Sequence, residues 1–422
     1  MKLPLTALSL LTLLLTIADG SFAQRDYAKK ILDTLCSPYF DGRGYVNSGD
    51  IRSADFVAAE LQKIGAIPVP GYSWFQEYSF DINTFPGKML VVMDDDTLVP
   101  GEEFLVEATS GSAKGSYELV ELNSASITNG KIDMITDFFS RDKKVYLLNF
   151  TDVEDDEDRQ QILNYAMRIV NFMPCIWIEK SEQIWSVDHY KTKYPLIMID
   201  SAAYRPSKSI EIDIENKFIT GYKTKNVIGY VPGKKKKKYV VFSAHLDHLG
   251  RMGSDTYFPG ANDNASGVAL LLSLAKYYRE NPPEYSTVFC FFTGEEVGLE
   301  GSKYFVQHPY IKLKKVKFVL NIDIMGGASD GITVVNATEH PEAFNAMVKL
   351  NEEGKFLNEV KKRGPTQNSD HYFFTESGVP AFFIYSNGTV KNYHDVFDTA
   401  ENTPLDKFDE VQALLIKFVQ SL

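Results

Sequence analysis

Apolar and polar positions divide the chain into stretches of different period. Between 24 and 82 apolar residues recur at helical spacing. Asp26–Leu35 reads as one helix, and a second runs from a cap at Ser48 to about Ile64, where Gly65 ends it. Phe56, Ala59, Leu61 and Ile64 lie on or near one face of that second helix. Between 83 and 215 the helical period weakens and short β-type runs recur, at Lys88–Met93, Val145–Phe150, Pro174–Ile178 and Leu196–Ile199. An acidic turn, Asp152–Asp158, precedes one helix at Arg159–Val170. This stretch is expected to be an inserted β-rich domain.

From Asn226 onward strand and helix patterns alternate. Strands are expected at Tyr239–Ala244, Thr287–Phe292, Val316–Ile322, Ile332–Asn336 and Ala381–Tyr385. Helices are expected at Ala265–Tyr278, Val297–Gln307, Phe344–Glu353, Asp370–Glu376 and Leu405–Leu422. Such alternation predicts an α/β fold whose mixed, mostly parallel central sheet is flanked by helices. The expected divisions are 1–23, an export signal; 24–82, the helical start of the main domain; 83–215, the insertion; and 216–422, the rest of the main domain.

The export signal rests on Lys2, the apolar run Leu3–Ile17 and the small-x-small site Ser21-Phe22-Ala23. It implies an exported protein, periplasmic or extracellular. No later run is long and apolar enough to cross a membrane. The net charge of −12 argues against nucleic acid, whose binding depends on phosphate neutralisation. Lys234–Lys238 reads as a solvated turn at the sheet edge. Cys36, Cys175 and Cys290 are too few for a disulfide framework. A Cys36–Cys175 bridge is allowed in an exported chain, and Cys290 reads as a small core residue.

Five segments place metal-ligand side chains near strand ends or in the following loops. They are Ser243-Ala244-His245-Leu246-Asp247, Gly260–Gly267 with Asp263, Thr293-Gly294-Glu295-Glu296, Asn321-Ile322-Asp323, and Tyr393-His394-Asp395. Ligand sites of parallel α/β sheets lie beyond the carboxyl ends of the strands. In the extended His245-Leu246-Asp247 segment, residues two apart share a side, so Asp247 is expected to hold the His245 ring. Asp263 also suits the N-cap of the helix that follows. Two adjacent buried glutamates repel unless a cation or proton intervenes, so of Glu295 and Glu296 one is expected to bind metal and the other to accept a proton. Imidazole and carboxylate ligands without thiolates suit a catalytic Zn²⁺ site, with Co²⁺ or Mn²⁺ as substitutes.

These ordered segments resemble the co-catalytic zinc aminopeptidases, whose relatives include glutamate carboxypeptidase II and the glutaminyl cyclases. The resemblance covers about 226–400. It implies two Zn²⁺ ions and a peptide substrate. Asp263 would bridge both metals, His245 and Asp323 would complete one site, and Glu296 and His394 the other. Glu295 would be the general base, and Asp247 would orient His245. Ser369-Asp370-His371 resembles a further family segment that supports ligands and caps a helix. Ser37–Gly44 resembles secreted bacterial members, and the insertion stands where the family often carries a protease-associated domain. The His394 loop departs from the family at Asp395-Val396-Phe397 and matches it at Asp398-Thr399. The implied activity is that of a zinc exopeptidase, an aminopeptidase. A glutaminyl-peptide cyclotransferase and a non-catalytic member share the scaffold. Nothing in the sequence assigns an oligomeric state.

Overall fold

The computed structural model describes residues 24–122, 143–151, 153–180 and 184–422. The expected export signal at 1–23 lies outside them, as does Asp152 of the expected acidic turn. Helices α1 (residues 24–35) and α2 (Gly49–Ile64) open the described chain. Gly65 ends α2 in the left-handed conformation, as expected. Ser48 departs from expectation: it too is left-handed, at φ 60°, and its hydroxyl makes no capping bond. A capping serine normally sits in the extended region, which aims its oxygen at the free N–H groups.

Strands β1 (Ile67–Pro68) and β2 (Phe75–Thr84) lead into a separate sheet. Among the described residues its strands are β3 (Met89–Met93), β4 (Asp96–Thr97), β5 (Phe104–Val106), β6 (Ala113–Leu122), β7 (Lys144–Asn149), β8 (Cys175–Glu179), β9 (Leu196–Asp200) and β10 (Ser209–Ile214). Helix α3 (Asp156–Ile169) packs on one face through Ile162, Ala166 and Ile169. Its N-terminus is capped by the Asp155 carboxylate, which accepts from the N–H groups of Glu157 and Asp158. The strand order is β4-β3-β10-β6-β7-β8-β9-β5, and β6 to β9 run parallel. Helix α3, near the expected Arg159–Val170, carries the chain between the parallel neighbours β7 and β8.

The chain then returns as β11 (Lys217–Val231), β12 (Lys235–His245), the hairpin β13 (Gly250–Met252) and β14 (Thr256–Phe258), helix α4 (Ser266–Glu280) and β15 (Tyr285–Phe292). It continues through α5 (Glu300–Gln307), β16 (Val316–Ile322), β17 (Gly331–Val335), α6 (Pro341–Gly354), β18 (Val360–Lys362), α7 (His371–Glu376), β19 (Ala381–Asn387) and α8 (Phe408–Ser421). The main sheet has the order β1-β11-β15-β12-β16-β19-β17-β18, with β2 paired to β11. Lys235–Lys238 form the exposed start of β12 rather than a turn, and Lys235 pairs with Glu284 at 3.0 Å.

The central strands are apolar throughout because both faces are covered. In β15, Phe289 and Phe291 face a core shared with α2, α4 and α8, while Val288, Cys290 and Phe292 face Phe305 of α5 and Phe374 of α7. A period of two with both sides buried yields a continuous hydrophobic run. β15, β12, β16 and β19 are mutually parallel, so their carboxyl ends share one edge. All three cysteines are free and buried. Cys36 belongs to the main core and Cys175 to the second lobe, so the Cys36–Cys175 bridge is not formed.

Candidate metal centre

Strand register sets the first two expected ligands, His245 and Asp323, level with each other. Ser243 pairs with Asn321, so His245 and Asp323 emerge two residues later at the same height. His245 Nε2 lies 3.1 Å from Asp323 Oδ1 and 3.0 Å from Asp263 Oδ1. Asp263 sits in the π-helical turn Ala261–Ala265 that precedes α4, and its peptide to Asn264 is cis. It is not an N-cap: α4 begins three residues later, at Ser266. The other Asp263 oxygen, Oδ2, lies 3.0 Å from His394 Nε2. His394 Nε2 in turn is 3.1 Å from Glu296 Oε2. The five predicted ligand residues thus form two triads that share one carboxylate. An atom each of His245, Glu295 and Glu296 also lie within 4.8 Å of one another.

Both imidazoles are oriented through their other nitrogen. His245 Nδ1 donates to the main-chain carbonyl of Asp247 (3.1 Å), and His394 Nδ1 to that of Trp185 (2.9 Å). Each Nε2 therefore turns its lone pair toward carboxylate oxygens, an arrangement that repels unless a cation or proton lies between them. Burial opposes the charged imidazoles, but the surrounding carboxylates outweigh it, holding His245 well above the usual histidine range and His394 at about 11. Burial would raise Glu296, yet His394 and a hydrogen bond from His248 bring it down to about 2. Glu295 lacks such support. Burial raises it, the His245 charge opposes, and repulsion from Glu296 and Asp323 leaves it well above the carboxylate range. The donor set, oxygen-rich, buried and bifurcated at Asp263, fits a pair of divalent cations.

Asp247 acts differently from expectation. Its carbonyl, not its carboxylate, holds the His245 ring. The carboxylate accepts from Tyr45 (2.6 Å) and from the N–H groups of Glu295 (3.3 Å) and Glu296 (3.2 Å). A side chain that faces the same way as His245 is drawn off by the unpaired N–H groups of the neighbouring turn, leaving the carbonyl for the imidazole. The Ser369–His371 segment reaches the site through Ser369, which donates to Asp323 Oδ2 (3.0 Å) and accepts from Asn321 (2.7 Å). Asp370 stands at the N-cap position of α7 without a side-chain capping bond.

Further site residues escape a reading by ligand type. His248 places Nδ1 2.7 Å from Glu296 Oε1 and groups with Asp263, Glu296 and His394. Its signal was its place directly after His245-Leu246-Asp247. Asp398 accepts from the N–H groups of Asn262 (2.7 Å) and Asp263 (3.0 Å), fixing the turn that carries Asp263. Tyr393 stacks on His394 with centroids 4.0 Å apart. Arg43 is wholly buried and donates to the carbonyls of Leu246, Pro259, Gly260 and Asp263, which flank two ligands. Its neighbours Gly42 and Gly44 allow the approach. A Cβ on Gly42 would stand 2.4 Å from the Phe258 carbonyl oxygen, and one on Gly44 2.3 Å from Gly250 Cα.

Residues 226–419 match the model of peptidase family M28. Aminopeptidase YwaD of Bacillus subtilis is 26% identical over 215 residues, covering 49% of this chain and 46% of that protein. A probable lipoprotein aminopeptidase, LpqL, of Mycobacterium tuberculosis is 28% identical over 205 residues, 44% of this chain and 39% of that one. A vacuolar membrane protease of Candida glabrata is 23% identical over 227 residues, 53% of this chain and 22% of that one. The chain thus spans between about a fifth and a half of the length of these curated relatives. In fold it is similar to BSAP, a zinc aminopeptidase from Bacillus subtilis, with a TM-score of 0.67, 18% identity, and coverage of 94% of this chain and 93% of that one. A peptidase M28 precursor from Shewanella amazonensis gives a TM-score of 0.67 at 18% identity, with 96% of both chains covered. The residues that match the M28 model take in strands β12 to β19 and all the segments that carry the strand-end carboxylates and imidazoles.

Proposed function

We propose that the protein is a zinc-dependent exopeptidase, an aminopeptidase that releases N-terminal residues from peptides. The observation that carries this reading is the Asp263 carboxylate, which presents one oxygen to His245 and the other to His394 at 3.0 Å each. His245 and Asp323 would hold one Zn²⁺, His394 and Glu296 the other, and Asp263 both; Co²⁺ or Mn²⁺ would fit the same donors. When bound, such metals would supply a water of lowered pKa and polarise the scissile carbonyl. The aminopeptidase relatives support the reaction class, and the donor set supports the metal.

Glu295 is the proton carrier. Its N–H is tied to Asp247, so the turn is held while its carboxylate is left out of the paired triads. Its raised pKa comes from burial and from its acidic neighbours. A carboxylate so placed takes the proton of the attacking water and returns it to the leaving amine. Asp247 is a positioning residue, bonding the His245 ring with its carbonyl and the Glu295–Glu296 turn with its carboxylate. Residues 1–23 would direct export to the periplasm or the medium. Residues 83–215 would form a domain inserted between the two parts of the peptidase domain, 24–82 and 216–422.

Glu295→Gln tests the assignment. The variant should keep the wild-type zinc content by elemental analysis and lose about 10²- to 10⁴-fold in kcat on aminoacyl-arylamides. Near wild-type kcat would remove Glu295 as the base. Absence of chelator-sensitive arylamide hydrolysis by the zinc-loaded wild type would remove the aminopeptidase reading.

A further inference from the structure

Trp185 belongs to the second lobe, between β8 and β9, yet its main chain is bonded twice to the C-terminal loop that carries His394. The Trp185 N–H donates to the His394 carbonyl (2.9 Å), and the Trp185 carbonyl accepts from His394 Nδ1 (2.9 Å). The indole fixes this segment in place. It is 3% exposed, its Nε1–H donates to the Val106 carbonyl (2.8 Å), and its ring stacks on Phe258 with centroids 4.7 Å apart. His394 itself has a left-handed backbone, φ 54°, a conformation that needs outside support in a non-glycine residue.

The two imidazoles therefore differ in what orients them. His245 leans on a carbonyl of its own loop, two residues away. His394 leans on a carbonyl 209 residues earlier, in the other lobe. Partners that orient a metal-binding imidazole set its tautomer and basicity, and losing one typically weakens metal binding about 10–100-fold.

We propose that Trp185 is a positioning residue through which the second lobe assembles the Asp263–Glu296–His394 half of the metal centre, while the His245–Asp263–Asp323 half is held by main-domain residues alone. The inference rests on the reading of His394 as a metal ligand. It gives the second lobe a role in holding the metal. Removing the indole frees the segment from Val106 and Phe258, and with it the carbonyl that holds the His394 ring.

The test is zinc titration of the chelator-stripped full chain in competition with a chromophoric chelator, for wild type, Trp185→Ala, Trp185→Phe and His394→Ala. Trp185→Ala should weaken one of two sites about 10–100-fold and leave the other within about twofold. Trp185→Phe, which retains the stack on Phe258, should stay nearer to wild type. His394→Ala should lose the same site that Trp185→Ala weakens. If His394→Ala loses a site and Trp185→Ala binds both zincs as wild type does, the inference is overturned and the ligand reading stands. If Trp185→Ala weakens both sites equally and lowers the melting temperature of the metal-free protein, the indole serves the fold alone and the inference also fails. If His394→Ala retains both zincs, the ligand reading falls and the inference falls with it.

Discussion

Replacing Arg43 with Met should destabilise the metal-free protein by about 3 kcal/mol, although the guanidinium bonds main-chain carbonyls rather than ligand side chains. Its guanidinium has five N–H donors. Five bonds are made: Nε to Leu246 (2.9 Å), Nη1 to Pro259 (2.6 Å) and Leu35 (3.5 Å), and Nη2 to Gly260 (2.7 Å) and Asp263 (3.2 Å). All five acceptors are main-chain carbonyls. Met keeps much of the stem volume and removes every donor, leaving the Leu246, Pro259 and Asp263 carbonyls without this partner, while the Gly260 carbonyl keeps the Ala265 N–H (3.2 Å). At the lower end of the usual penalty, about 1 kcal/mol for each unsatisfied buried group, the loss is about 3 kcal/mol. That is a large share of a typical total of about 5–15 kcal/mol. Arg43→Lys keeps the charge and three donors but not the planar fork, so its loss should be smaller than that of the Met variant. Urea unfolding in excess chelator measures both variants, since bound zinc would otherwise add its own stabilisation. A Met variant within about 1 kcal/mol of wild type would refute the reasoning, because it would mean that water or a shift of the loops satisfies these carbonyls at little cost.

The other outcomes concern His248 and Asp50. His248→Ala frees Glu296 Oε1 from its 2.7 Å partner and should weaken zinc binding about 10–100-fold, with partial recovery in His248→Gln; equal affinity in all three proteins would show that Glu296 needs no such hold. Asp50 is buried, and this outweighs the hydrogen bonds from Tyr222 (2.6 Å) and Thr224 (2.7 Å), raising its carboxyl from the ordinary 3.8 to about 7. The folded protein thus holds this proton more tightly than the unfolded chain. The resulting stabilisation is complete below about pH 4 and lost as pH rises through about 7, an upper bound of about 4 kcal/mol. Asp50→Asn should flatten that part of the stability profile between pH 5 and pH 8, and an unchanged slope in urea unfolding would assign it to other groups.

What the sequence made legible was whatever side-chain type and spacing encode. The strand Val316–Ile322 was expected at its observed bounds, because a run apolar on both faces and closed by Asp323 has few other uses in an alternating α/β pattern. The five candidate ligand positions stood out for the same reason, since carboxylates and imidazoles just past apolar strands are costly to bury without a purpose. Interactions made by main-chain carbonyls were not legible, because every residue has one. The Asp247 carbonyl under His245, the Trp185 carbonyl under His394 and the carbonyls around Arg43 depend on where the backbone turns. Ser48 failed as a cap for a related reason: its identity suits the role, but its left-handed backbone does not. The same distinction orders the site itself. Side-chain identity supplies donors that suit zinc, but the register of β12 against β16, the hold of Asp398 on the Asp263 turn and the reach of the second lobe to His394 bring them to one place. A variant that preserves every ligand yet loosens one of those three supports should therefore lose metal before it loses its fold, and which half of the centre empties first would reveal the support that was loosened.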